Sequence, residues 1–380
     1  MAPVRILHCH STFSLGGKEA RAVRLMNAFG DAAEHSILSA MPDRLGARDA
    51  ISPDIRVSFP TGAPPLTGPP TPRRLWRLAS YLRGFDLVLS YNWGAFDAVM
   101  ARRLFAGLVR LPPLIHHEDG FNEDEAVRLD PRRNRYRRFG LPAARALVVP
   151  SKRLETVARS HWSRAALRIP NGVPVARFAR PPEAGAIPGF ERRPGEIVIG
   201  TVAGLRAVKN LPRLVRAVAA MRSKDVRLVI VGEGPESDRI AAEAGAHGLG
   251  ARLVMPGFLT DPARWIAHFD IFALSSDSEQ FPISLVEAMA AGLPVVATAV
   301  GDVIEMVSAD NRPLIVEPAD EAGFTAALDS LAEQTALRHA IGAANRATAR
   351  TEYDEAKMIA AYARLYGEAI GRPDAFAPCA

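Results

Sequence analysis

Glu279 and Glu287 are separated by seven intervening residues in the stretch SSDSEQFPISLVEAMAAGLPVVAT, which runs from Ser275 to Thr298. Phe281-Pro282 marks a turn and Ile283 to Ala290 has the composition of a helix; proline is tolerated in a first helical turn, so a helix opening at Pro282 is expected. Glu279 then lies on the preceding loop and Glu287 more than one turn inside the helix, both directed to the space above its N-terminus. That end carries free N–H groups and a partial positive charge, which suit a phosphate. One carboxylate can accept the hydroxyls of a ribose and the other those of a sugar. The set therefore fits a sugar joined by a diphosphate to a nucleoside. As two isolated solvated charges the pair would carry no meaning; its setting before Gly292 and the buried strand Pro294–Thr298 favours a site.

The elements that position such a site alternate. VRILHCH, residues 4–10, reads as a strand, with its core at Val4–Leu7 and Cys9 at its end; STFSLGG is a loop, and KEARAVRLMNAF a helix. Gly16 and Gly17 let the backbone approach a ligand at the helix start, although no G-x-G-x-x-G fingerprint is present. Residues 60–72, PTGAPPLTGPPTP, form an exposed extended loop. A helix, the strand DLVLSY and a further helix follow it. Strands alternating with helices are the mark of a doubly wound parallel sheet. LIHHEDG, residues 114–120, ends another strand; neighbouring side chains on a strand point to opposite faces, so at most one of His116 and His117 enters a site. In the second half EIVIGTVAG is a buried strand, and LRAVKNLPRLVRAVAAM carries Lys209 at a helix entrance, where it can meet a phosphate. Residues 181–194 have the proline and glycine content of a linker.

The E-x7-E spacing in this setting resembles the signature of the family 4 retaining glycosyltransferases. The resemblance covers nearly the whole chain and is strongest from Glu196 to Glu305. It implies an α/β protein of GT-B fold, two doubly wound Rossmann-like domains facing an interdomain cleft. The domains would be 1–175, on the acceptor side, with a C-terminal helix at about 354–370 crossing back, and 176–353, which binds the nucleotide-sugar. Donor binding would fall on Gly16, Gly17, Arg206, Lys209, Gln280, Phe281, Pro282, Ile283, Ser284 and Glu287. Glu279, Lys209 and His116 would serve catalysis, with Glu19 completing the family's Gly-Gly-x-Glu pattern and PNGV, from Pro170, its interdomain junction.

Four positions depart from the pattern. Gly204 stands where the family's diphosphate-binding arginine is usual, with Arg206 two residues later; Gln280 and Asp302 replace glycines, and Pro174 an aspartate. The implied co-substrate is a UDP- or GDP-linked sugar, with no other cofactor and no metal, since no D-x-D pair sits at a strand end. The implied acceptor is a glycan or lipid-linked hydroxyl. A non-catalytic GT-B nucleotide-sugar-binding protein and a GT-B epimerase would share this layout.

The 380 residues, 48% hydrophobic and 23% charged, suit two ordinary domains. No apolar run is long enough to span a bilayer and no signal peptide is evident, so a cytoplasmic protein is expected, at the inner face of the membrane if it works on lipid. The two cysteines, Cys9 and Cys379, cannot build a disulfide framework. The net charge of +6 points to anionic partners. Arg128, Arg132, Arg133, Arg135, Arg137 and Arg138 form either a face for peripheral contact with an anionic membrane or a solvated helix; nucleic acid is not expected, because no nucleic-acid motif accompanies the charge.

Overall fold

The computed structural model describes residues 2–14, 16–121, 125 and 128–377; Cys379 lies outside them. The chain divides into two compact units, Met1–Asn171 with Ala356–Ala380, and Gly172–Glu355.

In the first unit the order is β1 (Val4–His10), α1 (Gly17–Phe29), β2 (Ala33–Ser39), β3 (Val57–Ser58), α2 (Pro72–Leu82), β4 (Leu87–Tyr91), α3 (Phe96–Phe105), β5 (Leu114–His117), α4 (Pro131–Gly140), β6 (Ala146–Val149), α5 (Lys152–Trp162) and β7 (Leu167–Arg168). The seven strands form one sheet in the order β3-β2-β1-β4-β5-β6-β7, and its pairings are parallel. β1 pairs with β2 along all seven residues, so the strand outruns its Val4–Leu7 core and Cys9 is internal and buried. The proline-rich loop is not extended and exposed throughout: it bends at 61–63 and 66–68, buries Leu66 and folds its carbonyls onto Arg74. Pro72 opens α2, where its missing N–H costs nothing, and the Thr71 hydroxyl accepts from Arg74 N at 3.4 Å. Leu75, Leu78, Ala79 and Leu82 then fall on one buried stripe.

In the second unit α6 (Val175–Phe178) precedes β8 (Ile197–Val202), α7 (Leu211–Ala220), β9 (Val226–Val231), α8 (Ser237–Ala246), β10 (Leu253–Gly257), β11 (Ile271–Leu274), α9 (Ile283–Ala291), β12 (Val295–Thr298), α10 (Val303–Met306), β13 (Ile315–Val316), α11 (Glu321–Glu333) and α12 (Thr335–Glu352). Its six parallel strands are ordered β10-β9-β8-β11-β12-β13. Each order reverses direction beside the first strand of its unit, the topology at which open α/β sheets bind ligands beyond their strand C-termini.

A last helix, α13 (Glu355–Ala369), belongs with the first unit from Ala356 onward. Met358, Tyr362, Ala363 and Tyr366 bury one face of it against that sheet, with Tyr366 Oη 2.9 Å from His117 Nε2. Under this helix lies a run of buried rings: His8 Nε2 is 3.0 Å from His35 Nδ1, and His8 Nδ1 is 3.3 Å from Tyr91 Oη. Burial holds His8, His10 and His117 well below the usual imidazole range and His35 at about 4. These rings are neutral when folded but take up protons when unfolded below about pH 6.5, so their contribution is complete above that pH and declines as pH falls toward 4. The expected result is a lower urea midpoint for the first unit at pH 5 than at pH 7.5, with His35 alone contributing up to about 2 kcal/mol of the loss. Equal midpoints at the two pH values would contradict it.

Candidate functional site

In the second unit the loops after β8 and β11 meet. Asp277 N donates to Val208 O at 2.8 Å and Ser275 Oγ to Lys209 O at 3.0 Å. Asn210, at φ 42°, reaches across with Nδ2 to both Asp277 oxygens at 3.2 and 3.1 Å. Arg213, from the first turn of α7, donates to Ser275 O and pairs with Asp277, each at 2.8 Å. These polar ties fix the lysine and the loop carboxylate relative to each other. Lys209 Nζ lies 2.5 Å from Glu279 Oε1, and Ser276 Oγ donates to the same oxygen at 2.7 Å. Charge-assisted bonds of this kind hold a side chain in one orientation.

Glu279 is followed by a turn that only glycine at 301 allows. Gly301 has φ +60°, and a Cβ there would fall 2.4 Å from Glu279 O. α9 then begins at Ile283, so Pro282 is the N-cap in an extended conformation rather than the first helical residue, a shift of one position from the sequence expectation. No side chain caps this end and no acid stands in the first turn, so its N–H groups and dipole are available to an anion. Glu287 is the fifth residue of α9 and buried, and Gly292 closes the helix at φ 80°. Phe281 packs edge-on to Tyr353, at 5.8 Å between ring centroids, and Ile283 packs on the core beneath. Gln280 keeps its side-chain oxygen buried without a hydrogen-bond partner, and Ser284 is half-buried on the first turn.

Arg206 is exposed on the loop after β8, and its Nε lies 3.7 Å from where a Cβ on Gly204 would stand. The side chain thus lies over the position left bare by the glycine.

In the first unit Gly16 is the N-cap of α1 and Gly17 its first residue. A Cβ on Gly16 would lie 2.9 Å from Glu19 Oε2, so the glycine is what lets the buried Glu19 carboxyl come close. Burial raises the pKa of Glu19, against the opposing ion pair with Lys18. His116 and His117 do point to opposite faces. His117 stacks on Tyr91 and meets Tyr366; His116 sits against Phe96 with Nδ1 2.8 Å from Ser90 Oγ. Both are 1% exposed, so a ligand could touch either ring only after neighbouring groups move aside.

Several polar groups escaped the sequence analysis. Arg21 pairs with Asp119 and donates to Asn171 Oδ1 at 3.0 Å, tying α1 to the ends of β5 and β7. Arg137 is not part of a solvated face. It is 1% exposed, lies 5.1 Å from the Trp93 and Trp162 rings, and pairs with Glu125 at 3.1 Å and Glu118 at 3.4 Å. Arg133 also turns inward to Glu125. The aromatic residues spaced through the sequence around this run were the available signal, but only the fold brings them to Arg137. Among the described residues no group of three or more His, Cys, Asp or Glu is placed to hold a metal ion, and no helix is long and apolar enough to cross a membrane.

Comparison with known proteins follows the same division. Residues 15–177 match Glycosyltransferase Family 4 and residues 187–348 match Glycosyl transferases group 1. A phosphatidyl-myo-inositol mannosyltransferase of Mycolicibacterium smegmatis is 35% identical over 213 residues, 54% of this chain and 53% of its own. An N-acetyl-alpha-D-glucosaminyl L-malate synthase of Bacillus anthracis is 26% identical over 176 residues, 46% of each chain. The chain spans about half the length of the curated relatives it matches. Among solved structures, Anabaena HepE in complex with UDP superposes with a TM-score of 0.77 at 21% identity, covering 96% of this chain and 100% of that one. A glycosyltransferase from Rickettsia africae gives 0.79 at 15% identity, covering 97% and 99%. Two Rossmann-like units in this order have the GT-B fold, and the chain belongs to the family 4 glycosyltransferases.

Proposed function

We propose that the protein transfers a sugar from a UDP- or GDP-linked donor to a hydroxyl of a glycan or lipid-linked acceptor, with retained anomeric configuration and without a metal ion. The observation that carries this reading is the Lys209–Glu279 pair, held by the loops after β8 and β11 just ahead of the uncapped start of α9. Lys209 and the α9 N–H groups would neutralise the diphosphate as it leaves. The bond from the anomeric carbon to the phosphate oxygen breaks, the acceptor oxygen bonds to the same face, and the acceptor's proton passes to the departing phosphate oxygen. The chain's groups then act through charge and position. Arg206, lying over Gly204, is the second cation for the phosphate. Glu287 holds ribose and Glu279 the transferred sugar. Relatives named as a phosphatidyl-myo-inositol mannosyltransferase and a lipopolysaccharide core biosynthesis glycosyltransferase support such an acceptor, and the UDP held by HepE supports such a donor. The work is assigned to the cytoplasm, at the inner face of the membrane where the acceptor is lipid-linked.

A panel of nucleotide sugars, with and without acceptors and with EDTA, tests the reading. Turnover that needs an acceptor and survives chelation supports it. Conversion of the donor alone would mean an epimerase, a thermal shift without turnover a binding protein, and activity lost to EDTA but restored by magnesium would remove metal independence.

The two carboxylates separate in a further prediction. Glu287→Ala should weaken nucleoside diphosphate binding by roughly 1.5–3 kcal/mol, through loss of charge-assisted hydrogen bonds. Glu279→Ala should lower turnover more than it weakens that binding. Calorimetry and kinetics on both variants decide, and wild-type donor affinity in both would reject the assignment.

A further inference from the structure

α2, α3 and α4 lie side by side over one face of the first unit's sheet, sharing a core with Leu75, Phe96 and Leu141. Their sequences contain Arg73, Arg74, Arg77, Arg102, Arg103, Arg132, Arg133, Arg135, Arg137 and Arg138 but a single acid, Asp97. That acid is already taken by Arg74 and by the Tyr136 hydroxyl. The outer surface of this layer is therefore strongly cationic even though Arg133 and Arg137 turn inward.

The same surface is also apolar. Among the described residues eight large hydrophobic side chains are exposed, and four of them are here: Leu108 at 74%, Phe139 at 48%, Leu104 at 43% and Trp76 at 40%. They stand on neighbouring elements: Leu104 in the last turn of α3, Leu108 just after it, and Trp76 and Phe139 on the two helices packed beside α3. Trp76 packs edge-on to Phe105 at 5.2 Å, next to Leu104. Arg103 lies 4.9 Å over the Phe139 ring and donates from Nε to Phe139 O at 3.1 Å, linking the ends of α3 and α4. Arg77, Arg103, Arg110, Arg135 and Arg138 are exposed on the same helices and the segment after α3.

Exposed aromatic and leucine side chains accompanied by arginine, on a chain with no spanning helix among its described residues, match the two forces that hold a peripheral protein on lipid. A soluble polyanion would use the arginines and leave the apolar side chains in water. We infer that this face, rather than the whole run Arg128–Arg138, docks on an anionic bilayer, with Trp76, Leu104, Leu108 and Phe139 entering the headgroup region. The inference rests on the membrane arm of the proposed function and not on its chemistry.

Co-sedimentation of the full chain with phosphatidylcholine vesicles, with and without phosphatidylglycerol, tests it. Binding is expected only to the anionic vesicles and should weaken as salt rises. Arg77→Glu with Arg135→Glu should weaken it on the order of thirty-fold, taking about one kcal/mol per arginine near the surface. Leu108→Ser with Trp76→Ser should also weaken it at least several-fold while melting temperature and nucleoside diphosphate affinity stay unchanged. No binding to anionic vesicles, or binding indifferent to the apolar pair, overturns the inference; in the second case competition by heparin would identify a polyanion surface. Turnover on a soluble acceptor in the same variants reads the transferase reaction independently.

Discussion

Lys209→Ala is expected to lower kcat/KM about a hundred- to a thousand-fold, the effect of removing one preorganised donor from a developing negative charge. Lys209 is one of two cations on the loop after β8, and its side chain is only 15% exposed, so solvent does not replace its charge. The substitution also strips Glu279 of a partner and leaves it the Ser276 hydroxyl. A fall in rate could thus come from a displaced Glu279. Glu279→Gln in the Lys209→Ala background separates the causes. If Lys209 acts on the phosphate, neutralising Glu279 restores nothing; if it only steadies Glu279, the glutamine relieves part of the loss. A single variant within about three-fold of wild type would remove Lys209 from catalysis altogether, since an electrostatic contact in a water-poor site is worth more than that.

Arg137→Met should cost the first unit on the order of 3–5 kcal/mol, because it leaves the buried Glu118 without its cation and Glu125 with Arg133 alone. Glu118 is fully buried, with the Arg137 guanidinium at 3.4 Å and the His116 ring at 3.6 Å, and neither of its oxygens has a hydrogen bond among the described residues. Glu125 receives two hydrogen bonds from Arg137, at 3.1 and 3.2 Å. The methionine would keep apolar contact with Trp93, Phe121 and Trp162 but lose the cation that their ring faces attract. Guanidinium unfolding at neutral pH measures the loss, and adding Glu118→Gln should recover part of it. A change below about 1 kcal/mol would show that the carboxylates find other partners or water.

What could be read from the sequence was what is local in the chain. Helix α9 has its proline, its apolar run and its terminal glycine within eleven residues, Pro282 to Gly292, so its place was legible to within one position. The alternation of strands and helices likewise gave both doubly wound sheets. The fate of Arg137 was not legible, because a run of arginines at helical spacing looks the same whether one of them turns into the core or all face water. Its partners Trp93 and Glu118 come from different crossovers of the sheet, and no local rule connects them. The Asn210–Asp277–Arg213 junction was missed for the same reason: asparagine before a helix suggests a cap, yet its amide crosses to another loop. The displaced cation was legible as a question. Gly204 announced the gap, and only the fold puts Arg206 over it.

A structure of the protein with a bound nucleoside diphosphate tests the central claim most directly. The account predicts the β-phosphate at about 3 Å from Lys209 Nζ and from N–H groups of the first turn of α9, with the Arg206 guanidinium turned onto the same phosphate and the ribose on Glu287. A diphosphate bound elsewhere, with Lys209 still on Glu279 and Arg206 in solvent, would contradict it.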